Sequence, residues 1–88
     1  MRALRGAQIR AARALLNWSA AELAQQSSLG VNTIRRAEGM DESTSLTTAN
    51  ELAIRRTLET AGVEFIDENG GGPGVRLRKR QRQKKRPS

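Results

Sequence analysis

Apolar residues recur along most of the chain at the spacing of helices rather than strands. Ile9, Ala12, Leu15 and Leu16 share one side of a 3.6-residue turn while Arg10 and Arg13 point elsewhere, which predicts a first amphipathic helix over 6–17, ended by Asn17 and Trp18. Ser19-Ala20-Ala21-Glu22 is a capping box: the serine oxygen accepts from the Glu22 N–H and the glutamate returns to the serine N–H. A second helix is expected from about 20 to 27, with Leu23 and Ala24 as its apolar stripe. Ser27-Ser28-Leu29-Gly30 breaks it. Val31, Ile34 and Ala37 then support a short third helix over 31–38, stopped by Gly39.

Beyond the loop-like stretch 40–45, Ser45 or Thr47 can cap a fourth helix that presents Leu46, Ala49, Leu52, Ala53 and Leu58 and stops at Gly62. The period then changes. Val63, Phe65, Val75 and Leu77 alternate with polar residues on either side of Asn69-Gly70-Gly71-Gly72-Pro73-Gly74, the pattern of two short strands and a glycine-rich turn, with Phe65 and Leu77 on one buried face. The glycine-rich stretch fits a flexible linker as well. From 79 to 88 there is no apolar residue, so a disordered basic tail is expected. The fold class is therefore all-α, with about four helices and a short C-terminal β-hairpin. It divides into a helical domain over 1–62, a hairpin extension of it over 63–78 and the tail over 79–88.

Length makes that fold marginal by itself. A chain of 88 residues buries only about 60% of the surface it exposes when unfolded, so a partner or a second copy is expected. Cysteine and histidine are both absent, which removes disulfides, Cys/His zinc sites, thiol nucleophiles and imidazole bases. The carboxylate pairs Asp41/Glu42 and Asp67/Glu68 have no companion that could act as nucleophile, base or metal ligand set. Neither an enzyme nor a cofactor is expected. Trp18 and Phe65 are the only aromatic residues, too few for a protein that stacks single-stranded bases. The N-terminal residues have no apolar signal region, and no stretch approaches the roughly 18 apolar residues that span a bilayer, so a cytoplasmic protein without membrane contact is expected.

The charge is unevenly placed. Of the 16 basic residues eight lie between Arg76 and Arg86 with no acid among them, so residues 1–75 hold eight basic and nine acidic residues, a net of −1 within a total of +7. Residues 1–36 carry six arginines against Glu22 alone, and residues 37–75 carry Arg55 and Arg56 against eight acids. The first part of the chain is the one that attracts anions.

Two helices of about eight residues joined by three, with an apolar residue in the turn, are what a helix-turn-helix requires: one helix lies across the DNA backbone and the next enters the major groove. Glu22-Leu23-Ala24, Ser27, Leu29, Thr33-Ile34-Arg35-Arg36 and Glu38-Gly39, without a gap from Ser19 to Gly39, resemble the lambda-repressor-like (Xre/Cro) family of bacterial helix-turn-helix regulators. The stretch from Arg10 to Trp18 resembles that family's first helix, and the stretch from Gly62 to Val75 resembles the ending of its very short stand-alone members, so residues 6–78 are covered.

The resemblance implies a sequence-specific DNA-binding transcription regulator that reads the major groove of double-stranded DNA with helix 31–38. Val31, Asn32 and Arg36 match positions that face base edges, and Thr33 and Arg35 match positions nearer the phosphates. Their chemistry agrees, since Asn pairs bidentately with adenine, Arg with guanine, and Val meets a thymine methyl. Ser19, Arg10 and Arg13 complete the phosphate set. Ala24, Leu29 and Ile34 match the buried positions that set the angle between the two helices, and Glu38 matches a common acidic residue at the end of the recognition helix. Ala20, Ser28 and Gly30 depart from the family pattern, which favours Gln, Gly and Ser or Thr there; Ala20 forfeits a phosphate contact, and Ser28 must take a positive φ.

One recognition helix reads only a few base pairs, so a homodimer reading two half-sites is expected. With no ligand domain in this length, control falls to a regulatory protein partner, proteolysis or abundance. The competing possibility is an antitoxin-like or anti-activator protein-binding module on the same scaffold, with Glu51, Glu59, Glu64, Asp67 and Glu68 as its acidic interface. The tail yields a test. Deleting residues 79–88 removes Lys79, Arg80, Arg82, Lys84, Lys85 and Arg86; Tm should barely move, while affinity for specific and random DNA falls alike with a shallower salt dependence. A collapse of Tm on truncation would mean that the tail is packed.

Overall fold

The computed structural model describes residues 4–39, 47–66 and 70–78. Its elements are four helices, α1 (Gly6–Leu16), α2 (Ala20–Ser27), α3 (Val31–Glu38) and α4 (Thr48–Thr60), followed by strands β1 (Val63–Ile66) and β2 (Gly74–Leu77). The helices fall where the apolar spacing puts them, within a residue or two at their ends. Ser45, Leu46, Asp67, Glu68 and the whole stretch 79–88 lie outside the described residues.

Each helix end has a local cause. At the start of α1 the Arg5 N–H donates to Gln8 Oε1 at 3.0 Å, and at its end Asn17 turns into the left-handed region at φ 62°, a conformation its short polar side chain tolerates. The Trp18 N–H then returns to the Arg13 carbonyl at 2.9 Å. Ser19 caps α2 by accepting from the Glu22 N–H at 3.0 Å, and Thr47 caps α4 by accepting from the Asn50 N–H at 3.2 Å. Ser28 does take the positive φ its position demands, 62°, which lets the Leu29 N–H reach the Ala24 carbonyl at 2.9 Å. Gly39 ends α3 without a left-handed turn, at φ −80°. After α4, Gly62 has φ 113° and starts the chain back as β1.

β1 and β2 pair antiparallel, with Val63 opposite Leu77 and Phe65 opposite Val75. The hairpin lies against α1 and α4, and the Arg55 guanidinium sits over the Phe65 ring at 5.1 Å from its centroid, a favourable cation–π separation. The core joins all of these pieces: Leu4, Ile9, Leu23, Ile34, Ile54, Leu58 and Val63 are fully buried, with Phe65 and Val75 packed on them from the hairpin.

Burial corrects the sequence pattern at three places. Leu15 is 41% exposed, because α1 is turned so that Gln8, Ile9 and Ala12 face inward. Gln8 is drawn in by its bond to the Arg5 N–H and by donating from Nε2 to the Gly74 carbonyl at 3.2 Å. On α4 the buried positions are Ile54 and Leu58, whereas Leu52 and Ala53 are half-buried and Ala49 is exposed. Glu51, one turn before Ile54, is turned toward the N-terminal segment, where its carboxylate accepts from the Leu4 N–H at 2.6 Å. Leu77 shares a face with Val63 but is 42% exposed: phase chooses the face, and what covers each end decides burial. Ile54→Ala should therefore cost about 2 to 5 kcal/mol of unfolding free energy. Leu15→Ala should stay within about 0.5 kcal/mol, as surface changes do. Urea denaturation of the two variants checks this, and equal losses would mean that α1 or α4 is rotated from the orientation described.

Candidate nucleic-acid interface

Each α-helical residue advances about 100° around the axis, and α3 is sharply two-sided on that account. Ile34, Ala37 and Glu38 are buried, Val31 and Thr33 are half-buried at the margins, and Asn32, Arg35 and Arg36 form the exposed side. Of the five α3 residues expected to meet bases and phosphates, Asn32, Arg35 and Arg36 thus share the exposed face, two with long cationic forks and one with an amide, while Val31 and Thr33 flank it. α2 precedes α3 by the three residues Ser28, Leu29 and Gly30, and the two helices meet where Ala24 and Ile34 are buried and Leu29 packs on the core. Ser19, at the start of α2, is exposed; its oxygen is occupied as the helix cap.

Arg13, expected on phosphate, joins α1 to the end of α3: Nε donates to Glu38 Oε2 at 2.7 Å and Nη2 to Glu38 Oε1 at 2.9 Å, the parallel two-bond geometry of a guanidinium on a carboxylate. Its Nη1 donates to the Trp18 carbonyl at 2.9 Å. The pair is mostly shielded, with 23% of the Arg13 side chain and 9% of that of Glu38 exposed. The Glu38 hydrogen bonds raise the Arg13 pKa above its ordinary value, outweighing the burial that opposes charge. Arg10 lies one turn earlier on α1 and is exposed, and its Nη1 donates to the main-chain carbonyl of Glu38.

Glu38 had a signal in the sequence. An acid in the last turn of a helix opposes the negative end of the macrodipole, so it persists there where a cation answers it. Proximity in sequence nominates Arg35 or Arg36 for that role, but both are on the exposed face. Gln8 and Glu51 had no such signal, because a polar residue on a mixed helix face reads as solvated until the fold brings a main-chain partner to it.

Among the described residues, the acids of the acidic part of the chain are engaged within the fold. Glu64 accepts from Arg76 across the hairpin at 3.1 and 3.3 Å, which lowers its pKa, Glu59 lies 3.7 Å from Arg55, and Glu51 accepts from Leu4. Among the described residues no cluster of His, Cys, Asp and Glu could hold a metal ion, and no helix is long and apolar enough to cross a membrane. The sequence matches no model of a known protein family and no curated protein.

Arg13 and Glu38 should be energetically coupled. Arg13→Ala and Glu38→Ala should each lower stability by about 1.5 to 3 kcal/mol, the scale of hydrogen bonds to charged groups. In a double-mutant cycle the pair should return a coupling of about 0.5 to 3 kcal/mol. Additive losses would show that the two side chains act separately.

Proposed function

We propose that the protein is a sequence-specific, DNA-binding transcription regulator with a lambda-repressor-like helix-turn-helix, α2 lying across the backbone of double-stranded DNA and α3 entering the major groove. The observation that carries this is the division of α3: Ile34, Ala37 and Glu38 hold it to the body while Asn32, Arg35 and Arg36 stand exposed together on the opposite face. A two-turn helix fits the groove, and its outward residues have the donor and acceptor sets that read adenine and guanine edges. Val31, Asn32 and Arg36 are assigned to bases. Ser19, Thr33, Arg35 and Arg10 are assigned to phosphates, and Arg13 to bracing.

A homodimer follows from the same economy, since two copies on a two-fold axis read two half-sites about one helical turn apart. The cytoplasm is the compartment in which such a protein meets its DNA. Binding of a regulatory protein through the acidic half is the weaker assignment, because Glu51, Glu59 and Glu64 are already engaged within the fold.

Arg36→Ala should lower affinity for a selected operator by about 1 to 3 kcal/mol and relax preference at one base position. Arg56→Ala, exposed on α4, should change it far less. Gel shifts against the duplex that the wild type selects from a random library make the comparison, and equal losses at the two positions would overturn the assignment of α3.

A further inference from the structure

We infer that the pair of Arg13 and Glu38 is a positioning device that sets the roll of α3 about its own axis, and with it the discrimination between DNA sequences. This rests on the DNA-binding role proposed above. α3 has eight residues, too few turns to hold a fixed geometry alone. Its apolar contacts through Ile34 and Ala37 anchor it, but burial of that kind has no direction and tolerates a small roll or slide.

The contacts at Glu38 are directional. Two nearly parallel bonds, at 2.7 and 2.9 Å, fix the plane of its carboxylate on Arg13, while Arg10 takes its carbonyl. The same Arg13 guanidinium bonds the Trp18 carbonyl, immediately before the Ser19 cap of α2. The last residue of α3 is therefore referenced at once to α1 and to the start of α2. At the other end Gly30 offers no side-chain cap.

The magnitudes make that reference matter. Side-chain tips lie about 5 to 6 Å from a helix axis, so a roll of about 20° carries the end of Arg36 through about 2 Å. A binding constellation must be held within about 0.5 Å and 10 to 20° to work. Attraction to phosphates depends on charge rather than register, so loss of the device should spare non-specific binding. Glu38 and Arg13 are then positioning residues that touch no DNA themselves.

The test uses the full chain carrying Glu38→Gln, which keeps an acceptor for Arg13 but removes the charge. Affinity is measured by fluorescence anisotropy for the duplex selected by the wild type and for a scrambled duplex of equal length, at a temperature where circular dichroism shows the variant folded. Specific affinity should fall about tenfold, within the contribution of one bidentate base contact. Affinity for the scrambled duplex should hold or tighten slightly, because a negative charge near the phosphates is gone. Arg13→Lys, which keeps the charge and loses the fork, should fall between wild type and Glu38→Gln, and it carries the test if Glu38→Gln does not fold. A folded variant with the wild-type ratio of specific to scrambled affinity overturns the inference and leaves the DNA-binding proposal standing. A wild type that does not distinguish the two duplexes overturns both.

Discussion

The bidentate contact between Arg13 and Glu38 is the constraint on which the arrangement of the helices depends. α1, α2 and α3 are short, and among them the large fully buried side chains are Ile9, Leu23 and Ile34, so hydrophobic burial brings them together without dictating a register. A charged fork with two bonds does dictate one. It also has to be complete: a largely shielded guanidinium or carboxylate that lost its partner would keep its desolvation cost without the compensating attraction. Placing this pair at the inner side of α3 leaves Arg35 and Arg36 free of the body and gives the outward face its positive character.

The rest of the fold solves the problem of a small core with main-chain ties. Gln8 holds the Arg5 N–H and the Gly74 carbonyl, joining the start of α1 to β2 across most of the sequence. Glu51 holds the Leu4 N–H and brings the fully buried Leu4 against α4. Both are polar side chains turned inward to satisfy backbone groups, and each closes a contact between segments far apart in sequence. The hairpin completes the enclosure. Phe65 and Val75 add partly buried surface, and Arg55 shares its guanidinium between the Phe65 ring and Glu59.

Electrostatically, the structure rearranges the linear division of charge. Arg13, counted in the basic first part of the sequence, is matched by Glu38 from the acidic part, and Glu64 by Arg76 from the terminal basic run. Both pairs cross the boundaries drawn by composition. The exposed cations on α3 thereby gain relative weight in the field near that surface, which is the field an approaching polyanion meets.

The sequence by itself determined the elements. Helical periodicity, the Ser19 and Thr47 caps and the switch to alternation at Val63 are local, and local signals act through neighbours three or four residues away or across one turn. The same locality made the exposed triad of Asn32, Arg35 and Arg36 legible, since Ile34 and Ala37 already mark the opposite side of one short helix. Tertiary structure alone decided which of several apolar stripes became core and which polar groups turned inward. Leu15 and Leu52 yielded to the faces that bury Ile9 and Ile54, where Gln8 and Glu51 found main-chain partners 66 and 47 residues away. The partner of Arg13 was not legible, because Glu38, 25 residues on, meets it only after α2 reverses the chain. A one-dimensional pattern records how apolar a position is; a hydrogen bond to a distant group depends on where the whole chain has gone.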